Sequence, residues 1–364
     1  MSSGGPHTSD DADTRLVLGI ETSCDETGAS VVRAGQEVLS NVIASQHDLH
    51  QEFKGVVPEI ASRAHAERIL PIVRAALSEA GAGLRDIAAV AVGHRPGLIG
   101  SLLVGVAAAK ALAWSLDVPL VGVDHVHAHL YAGCLNTQPP EFPAIGLVVS
   151  GGHTVLYRCE SLTEIIRLGS TIDDPVGEAY DKAATILGLP FPGGPNLDTL
   201  AQRGDASRHS FPISRLSPDS LDFSFSGLKT ALLYAVRPLP HPAIRAGRQP
   251  PAGYVAPEPA DPANAAAAFQ HAAISAVMLK LTRALERHQD CRTVLVGGGV
   301  SANSLLRSRL KELGAARGLD VRLPAMEFCV DNAAMIAGLG FHLLERRDWR
   351  GDPLTLTAVP TTGC

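Results

Sequence analysis

Two stretches decide the fold: LVLGIETSCDETGASVV, residues 16–32, and AIGLVVSGGHTVLYR, residues 144–158. In each, two apolar runs flank a polar turn, the pattern of a β-hairpin. The first turn is crowded with hydroxyls and carboxylates: Glu21, Thr22, Ser23, Asp25, Glu26 and Thr27. The second reads Ser150-Gly151-Gly152-His153-Thr154. The usual two-residue hairpin turns are Asn-Gly or Asp-Gly, so a longer, chemically loaded turn points to function. The same plan at the head of each half argues for two similar α/β lobes. Facing each other across a cleft, the hairpins would clamp phosphate through backbone N–H groups and hydroxyls. The carboxylates of the first turn cannot cradle bare phosphate, but they can hold a hydrated cation attached to one.

Between the hairpins, residues 65–80 carry apolar side chains at helical spacing, with His65 read as part of a solvated polar face. A strand at 87–92, the turn GHRPGLIGS and a small-residue helix at 102–116 follow. Then DHVHAHLYAG, residues 124–133, leaves the apolar run 118–123. Pro119 allows an edge or first-residue place in a strand, and Asp124 suits a helix N-cap. A helix starting there puts His125 and His129 four apart on one face and turns His127 away. Two imidazoles on consecutive turns can hold one divalent ion, completed by a carboxylate from a distant segment. They can equally be polar residues at a helix start, and an extended segment would line up all three histidines.

In the second half, DDPVGEAYDKAATILGL brings Asp181 and Lys182 into an apolar helix, as a charged face or as part of a site. FPGGPNLDTLA is a rigid loop with free backbone donors; Asp198 stands at the entry of the next helix and could cap it. LDFSFSGLKTALL passes from strand to helix. Residues 236–262 are proline- and alanine-rich without periodicity, a flexible excursion in which Arg245 and Arg248 could touch an RNA backbone. A long helix at 265–287 leads to a strand at 293–296 and the turn GGGVSAN, where a nucleoside can lie against bare backbone. Asp331 or Asn332 can cap the last helix; Asp331 can instead be the carboxylate that His125 and His129 lack.

The totals narrow the class. At 364 residues the chain can bury two cores, and 46% hydrophobic with 19% charged residues is a globular balance. Only 4% aromatics and a net charge of −6 argue against extensive base-stacking platforms and against a global basic field. Six cysteines without a C-x-x-C pair read as reduced thiols. The polar, acidic start is unlike a signal peptide, and the most apolar run, 102–114, is shorter than a membrane span and carries Lys110. The expectation is a soluble, cytoplasmic protein with no membrane partner.

Taken together, GIETSCDET, the His125/His129 pair, VVSGGHT, GEAYDKAA, FPGGP, FSFSGLKTA, GGGVSAN and CVDNAAMIA, in this order over nearly the whole chain, resemble the bacterial tRNA adenosine threonylcarbamoyltransferase family, once named for O-sialoglycoprotein endopeptidase activity. The resemblance implies a two-lobed actin/Hsp70-like, ribonuclease H-like ATPase fold with the active site in the inter-lobe cleft. The division expected is a disordered tail (1–14), an N-terminal lobe (15–138), a C-terminal lobe (139–330) with the flexible insertion 236–262, and a closing helix and tail (331–364) packing back on the N-terminal lobe. The implied reaction moves the threonylcarbamoyl group of threonylcarbamoyl-AMP to N6 of the adenosine beside the anticodon, in tRNAs reading codons that begin with adenine, forming t6A. His125, His129 and Asp331 match the family's metal ligands, for Fe2+ or Zn2+. Val148, Val149, Ser150, Gly151, Gly152, Asp181, Gly194, Asp198 and Asn303 fall on its substrate or nucleotide contacts, for an ATP- or AMP-type nucleotide with or without Mg2+. Asp25 and Glu26 match the acidic loop beside the reacting group, as catalytic residues. Implied partners are tRNA, an inactive actin-like paralogue, a P-loop ATPase and the synthase that makes the adenylate. The family's Gly-Pro-Gly reads Arg95-Pro96-Gly97 here.

Two other readings stand beside this one. A metalloprotease would need a glutamate placed as base for zinc-bound water, and none lies within the histidine cluster. A non-catalytic nucleotide-binding scaffold would leave the loaded hairpins unexplained.

Overall fold

The computed structural model describes residues 13–53, 55–237, 242–245, 249, 251, 254, 259–346 and 355–361. β1 (Leu16–Glu21) and β2 (Glu26–Arg33) form the first hairpin, and β3 (Glu37–Ser45) extends it. α1 (His47–His50), α2 (Pro58–Glu79), β4 (Ile87–Arg95), α3 (Ile99–Leu116), β5 (Leu120–Asp124) and α4 (His125–Tyr131) follow. The second half has β6 (Ala144–Val149), β7 (Thr154–Cys159), β8 (Ile165–Ser170), α5 (Val176–Ile186), α6 (Gly193–Ala201), α7 (Ser226–Val236) and α8 (Pro242–Arg245). It ends with α9 (Pro262–Arg287), β9 (Thr293–Gly297), α10 (Ser304–Arg317), β10 (Asp320–Arg322) and α11 (Ala333–Leu344).

The two five-stranded sheets have one topology, β3-β2-β1-β4-β5 and β8-β7-β6-β9-β10. In each, three antiparallel strands are followed by two parallel ones. The repeat suspected from the hairpins is therefore a repeat of whole sheets, and the chain has the two-lobed ATPase-like α/β fold.

Central strands buried on both faces read as unbroken apolar runs, because helices cover each side. On one face of the first sheet Leu18, Ile20 and Val31 meet Ile69 and Val73 of α2 and Val106 and Ala109 of α3. On the other, Val17 and Ala91 join one core with Val126 of α4, Val148 of β6 and Met335 of α11. That shared core wedges α4 between the sheets. Gly19 permits the close approach of α11, since a Cβ there would lie 2.2 Å from the Ala333 carbonyl oxygen.

Several expectations need correction. The first turn is only residues 22–25, because Glu21, Glu26 and Thr27 belong to the strands, and all of it but Cys24 is buried. α2 begins at Pro58, seven residues before His65, with proline in the first turn where its missing N–H costs nothing. His65 is fully buried, not solvated. α3 reaches 18 residues and is long and apolar enough to cross a membrane by length and composition; here Leu102, Val106, Ala109 and Ala113 are buried, the last three against α2 and the first sheet. Residues 1–12, Arg248 and most of 236–262 lie outside the described residues.

Candidate active site

Asp124 ends β5 and caps α4, accepting from the backbone N–H of Val126 at 3.0 Å and His127 at 3.2 Å. The cap fixes the phase of the helix. His125 and His129 consequently share a face, their rings 4.6 Å apart and edge to face, while His127 packs against Tyr157 instead. At the other end of the chain Asn332, not Asp331, caps α11 by accepting from the Met335 N–H at 3.0 Å. Asp331 is left free to meet the histidines, with Oδ1 at 3.1 Å from His129 Nε2 and 3.6 Å from His125 Nε2.

This trio fits a divalent cation. One donor atom from each residue falls within 4.8 Å of the others. His129 is wholly buried, yet neither of its ring nitrogens has a hydrogen-bond partner: the 3.1 Å approach to Asp331 is close enough but badly angled. A lone pair kept from water and from a donor is what a metal ligand requires. His125 Nδ1 donates to Glu21 Oε2 at 3.0 Å, leaving Nε2 as the nitrogen that faces Asp331. Burial disfavours the His125 cation, but Asp331 and Glu21 outweigh it and raise its pKa to about 10. Burial lowers that of His129. The Asp331 carboxyl, despite burial, is held well below the usual range by the two imidazoles. A cation taking the place of the His125 proton would find one ionised carboxylate and two nitrogen donors. His153, whose pKa burial and the two histidines push down to about 4, adds a neutral imidazole nearby.

The first turn carries a second cluster. Asp25 and Glu26 are nearly buried, and His47 Nε2 reaches Glu26 Oε1 at 3.3 Å and Asp25 Oδ2 at 3.8 Å. Burial raises the Glu26 pKa to about 8, a rise that the His47 hydrogen bond opposes. Buried His65 anchors the turn from behind, donating from Nε2 to the Cys24 carbonyl at 3.0 Å while its Nδ1 pairs with Thr27 Oγ1 at 2.8 Å. The solvated-face reading fails because helical periodicity does not show what a polar residue faces.

The remaining candidates separate into three groups. Val148 and Val149 have fully buried side chains, so only the backbone at the end of β6 is theirs to offer. Beyond it Gly151 and Gly152 are open, as are Gly194 and Gly299: a Cβ at any of them would meet nothing within 4 Å. Ser150 Oγ accepts from the His153 N–H at 3.0 Å, shaping the turn. Gly297 and Gly298 do a different job from the one expected, since a Cβ would lie 1.9 Å from the His129 carbonyl oxygen at the first and 2.4 Å from that of Val149 at the second. They admit the protein's own backbone. Asp181, its pKa raised by burial, accepts from the Gly193 N–H at 2.9 Å and so braces the FPGGP turn. Asp198 does not cap its own helix; it lies inside α6 and accepts from the backbone N–H and hydroxyl of Ser304 at 3.1 and 2.7 Å. Asn303 caps α10 through the Leu306 N–H at 3.0 Å. Gln270 ties these two together, donating to Asp198 at 2.9 Å and accepting from Asn303 at 2.9 Å.

Sequence reasoning passes over Glu21 as a support for His125, names His153 only as part of the second turn, and misses His47 and Gln270 altogether. Only the spacing of His153 after Gly151-Gly152 carries any signal. Arg95, where the family motif has glycine, pairs through Nε with Asp124 Oδ2 at 3.2 Å, linking that turn to the cap of α4.

The fold places the chain among two-lobed, ATPase-like α/β proteins. Full-length HypF in its phosphate- and nucleotide-bound form superposes with a TM-score of 0.58 at 15% identity, over 93% of this chain and 57% of that one. HypF from T. kodakarensis gives 0.57 at 16%, over 91% and 48%. The sequence is more particular. A family model described as tRNA N6-adenosine threonylcarbamoyltransferase matches residues 37–338. The protein of that name from Moorella thermoacetica is 47% identical over 344 residues, 94% of this chain and 96% of its own length. That from Trichlorobacter lovleyi is 49% identical over 325 residues, 89% and 90% respectively. This chain belongs to the tRNA N6-adenosine threonylcarbamoyltransferase family.

Proposed function

We propose that the chain transfers the threonylcarbamoyl group from threonylcarbamoyl-AMP to N6 of the tRNA adenosine beside the anticodon, forming t6A. The amine nitrogen attacks the carbamoyl carbon, the new N–C bond forms, the bond from that carbon to the phosphate oxygen breaks, and AMP leaves. The observation that carries a metal-assisted version is the orphaned, fully buried imidazole of His129 beside Asp331 and His125. A divalent ion held by these three would act as a Lewis acid on the donor's oxygens. Two imidazoles and one carboxylate suit Fe2+ and Zn2+ alike.

The open backbone at Gly151 and Gly152 is the proposed seat of the donor's phosphate, and the turn of Gly299 and Asn303 that of its adenosine. Asp181, Gly194 and Asp198 complete the proposed nucleotide contacts, with Mg2+ as a companion of an ATP-type ligand. Of Asp25 and Glu26, Glu26 is the better proton acceptor, because a base with a pKa near the working pH combines availability with driving force. Asp25 then positions the amine.

The residue boundaries proposed for the lobes are 15–138 and 139–330, with 331–364 packing back on the first. A paralogous actin-like subunit is the proposed occupant of the α2–α3 face, where Leu70, Ile99, Leu103 and Trp114 are exposed. A P-loop ATPase, an adenylate-forming synthase and a cytoplasmic setting complete the proposal.

The test is transfer of label from threonylcarbamoyl-AMP into tRNA, with partner subunits present, alongside metal analysis. Label should enter tRNA with the parent chain. Undiminished transfer by a metal-stripped His125→Ala/His129→Ala double variant would reject the metal's role. No transfer by the complete mixture would favour a binding scaffold instead.

A further inference from the structure

His47 stands where no ordinary solvent-facing histidine needs to be. It opens α1 directly after β3, its side chain 40% exposed, while the carboxylates it reaches are 11% and 10% exposed. On its other side the ring packs edge to face on Phe191, centroids 5.7 Å apart. Phe191 opens the FPGGP turn of the second half, whose Gly193 N–H is bound by Asp181. One side chain thus grips the acidic turn of the first lobe and rests on a ligand-side turn of the second.

We propose that His47 is a positioning residue for the transfer reaction, steering the Glu26 carboxylate toward the acceptor amine while Phe191 braces its ring from the opposite lobe. The proposal rests on the reading of Glu26 as proton acceptor. A carboxylate on a flexible side chain at a strand end has several rotamers, and an imidazole nitrogen 3.3 Å away favours those that keep the two in contact. The donor would wander with its own rotamers were it not packed against an aromatic edge. The groups facing this pair are Asp25, Asp48, Cys24 and Asp331, with Asp181 facing Asp25. Most of these can carry negative charge, whereas the imidazole attracts an ionised Glu26. It also remains open to water and hence to an incoming tRNA base.

Three substitutions separate steering from packing. His47→Ala removes both contacts, His47→Gln keeps a donor for Glu26, and His47→Phe keeps a ring for Phe191. In the complete transfer assay His47→Ala should lower kcat about tenfold or more, as misplacement of a reacting group does. KM for tRNA should stay within about twofold, and metal content and melting temperature should match the parent. Gln should recover most of the loss and Phe should not. Unchanged kcat in the Ala variant would overturn the proposal, and so would equal recovery by Gln and Phe. If the Ala variant folds poorly, the Gln–Phe comparison still decides. Glu26→Gln is the separate control: full transfer by that variant would bring down the reading of Glu26, and the proposal with it.

Discussion

Among the described residues two clusters combine imidazole and carboxylate, and they hold their protons in opposite ways. At His125, His129 and Asp331 the carboxyl is kept ionised by the imidazoles and one histidine is left neutral without a hydrogen bond. At Asp25, Glu26 and His47 burial raises Glu26 to about 8, and the hydrogen bond to Glu26 raises His47. On the reading proposed above, the first arrangement receives a positive ion and the second exchanges a proton near neutral pH. Residue type does not separate them, since each combines histidine with acid. The difference lies in whether the partner imidazoles outweigh desolvation.

The sharpest way to break the comparison is to delete a ligand. His129→Ala should reduce both retained metal and transfer to background, checked by metal analysis and labelled tRNA. Retained metal would move the cation elsewhere. Glu26→Gln should lower kcat by about 100- to 10,000-fold, the usual range for a lost acid–base group, and leave metal content alone. If both variants lose metal, the two clusters are one site.

Glu21→Gln should weaken metal binding by about 10- to 100-fold, as loss of a ligand's supporting carboxylate does, measured by competition with a chelator. The pH profile sharpens the contrast further. If Glu26 must be ionised, transfer should rise with pH up to about 8 and level above it. Stability runs the other way. The folded state keeps this proton up to about pH 8, whereas an unfolded glutamate releases it near its ordinary value of about 4.3. Between those limits the folded chain holds more protons, so this group's contribution falls as pH rises. Glu26→Gln should therefore raise the melting temperature more at pH 8 than at pH 5. The smallest effect is Asn332→Ala, which removes the cap of α11 and should cost about 1 kcal/mol by denaturant titration.

Much of the first cluster is legible in the amino-acid sequence. Asp124 signals a helix start, and the spacing of His125 and His129 places two donors on one face because the helical repeat is fixed. The paired hairpins likewise point to two similar lobes. The second cluster is half legible. Asp25 and Glu26 stand out as part of a crowded turn, but His47 lies twenty-one residues from Glu26 in sequence, and no local pattern connects a helix start to a turn across a sheet.

Sequence alone determined the elements whose signals are local: strands from apolar runs, the cap at Asp124, and the family from motifs in order; the structure chose Asn332 over Asp331 as the cap of α11. The sheet order, the wedge of α4 between two sheets and the burial of His65 belong to tertiary structure. So does the division of labour among glycines, with Gly297 and Gly298 admitting backbone and Gly151, Gly152 and Gly299 left open. These features depend on which surfaces meet, and that is fixed by packing over the whole chain. A carboxylate's proton follows the same rule, because desolvation is a property of its surroundings.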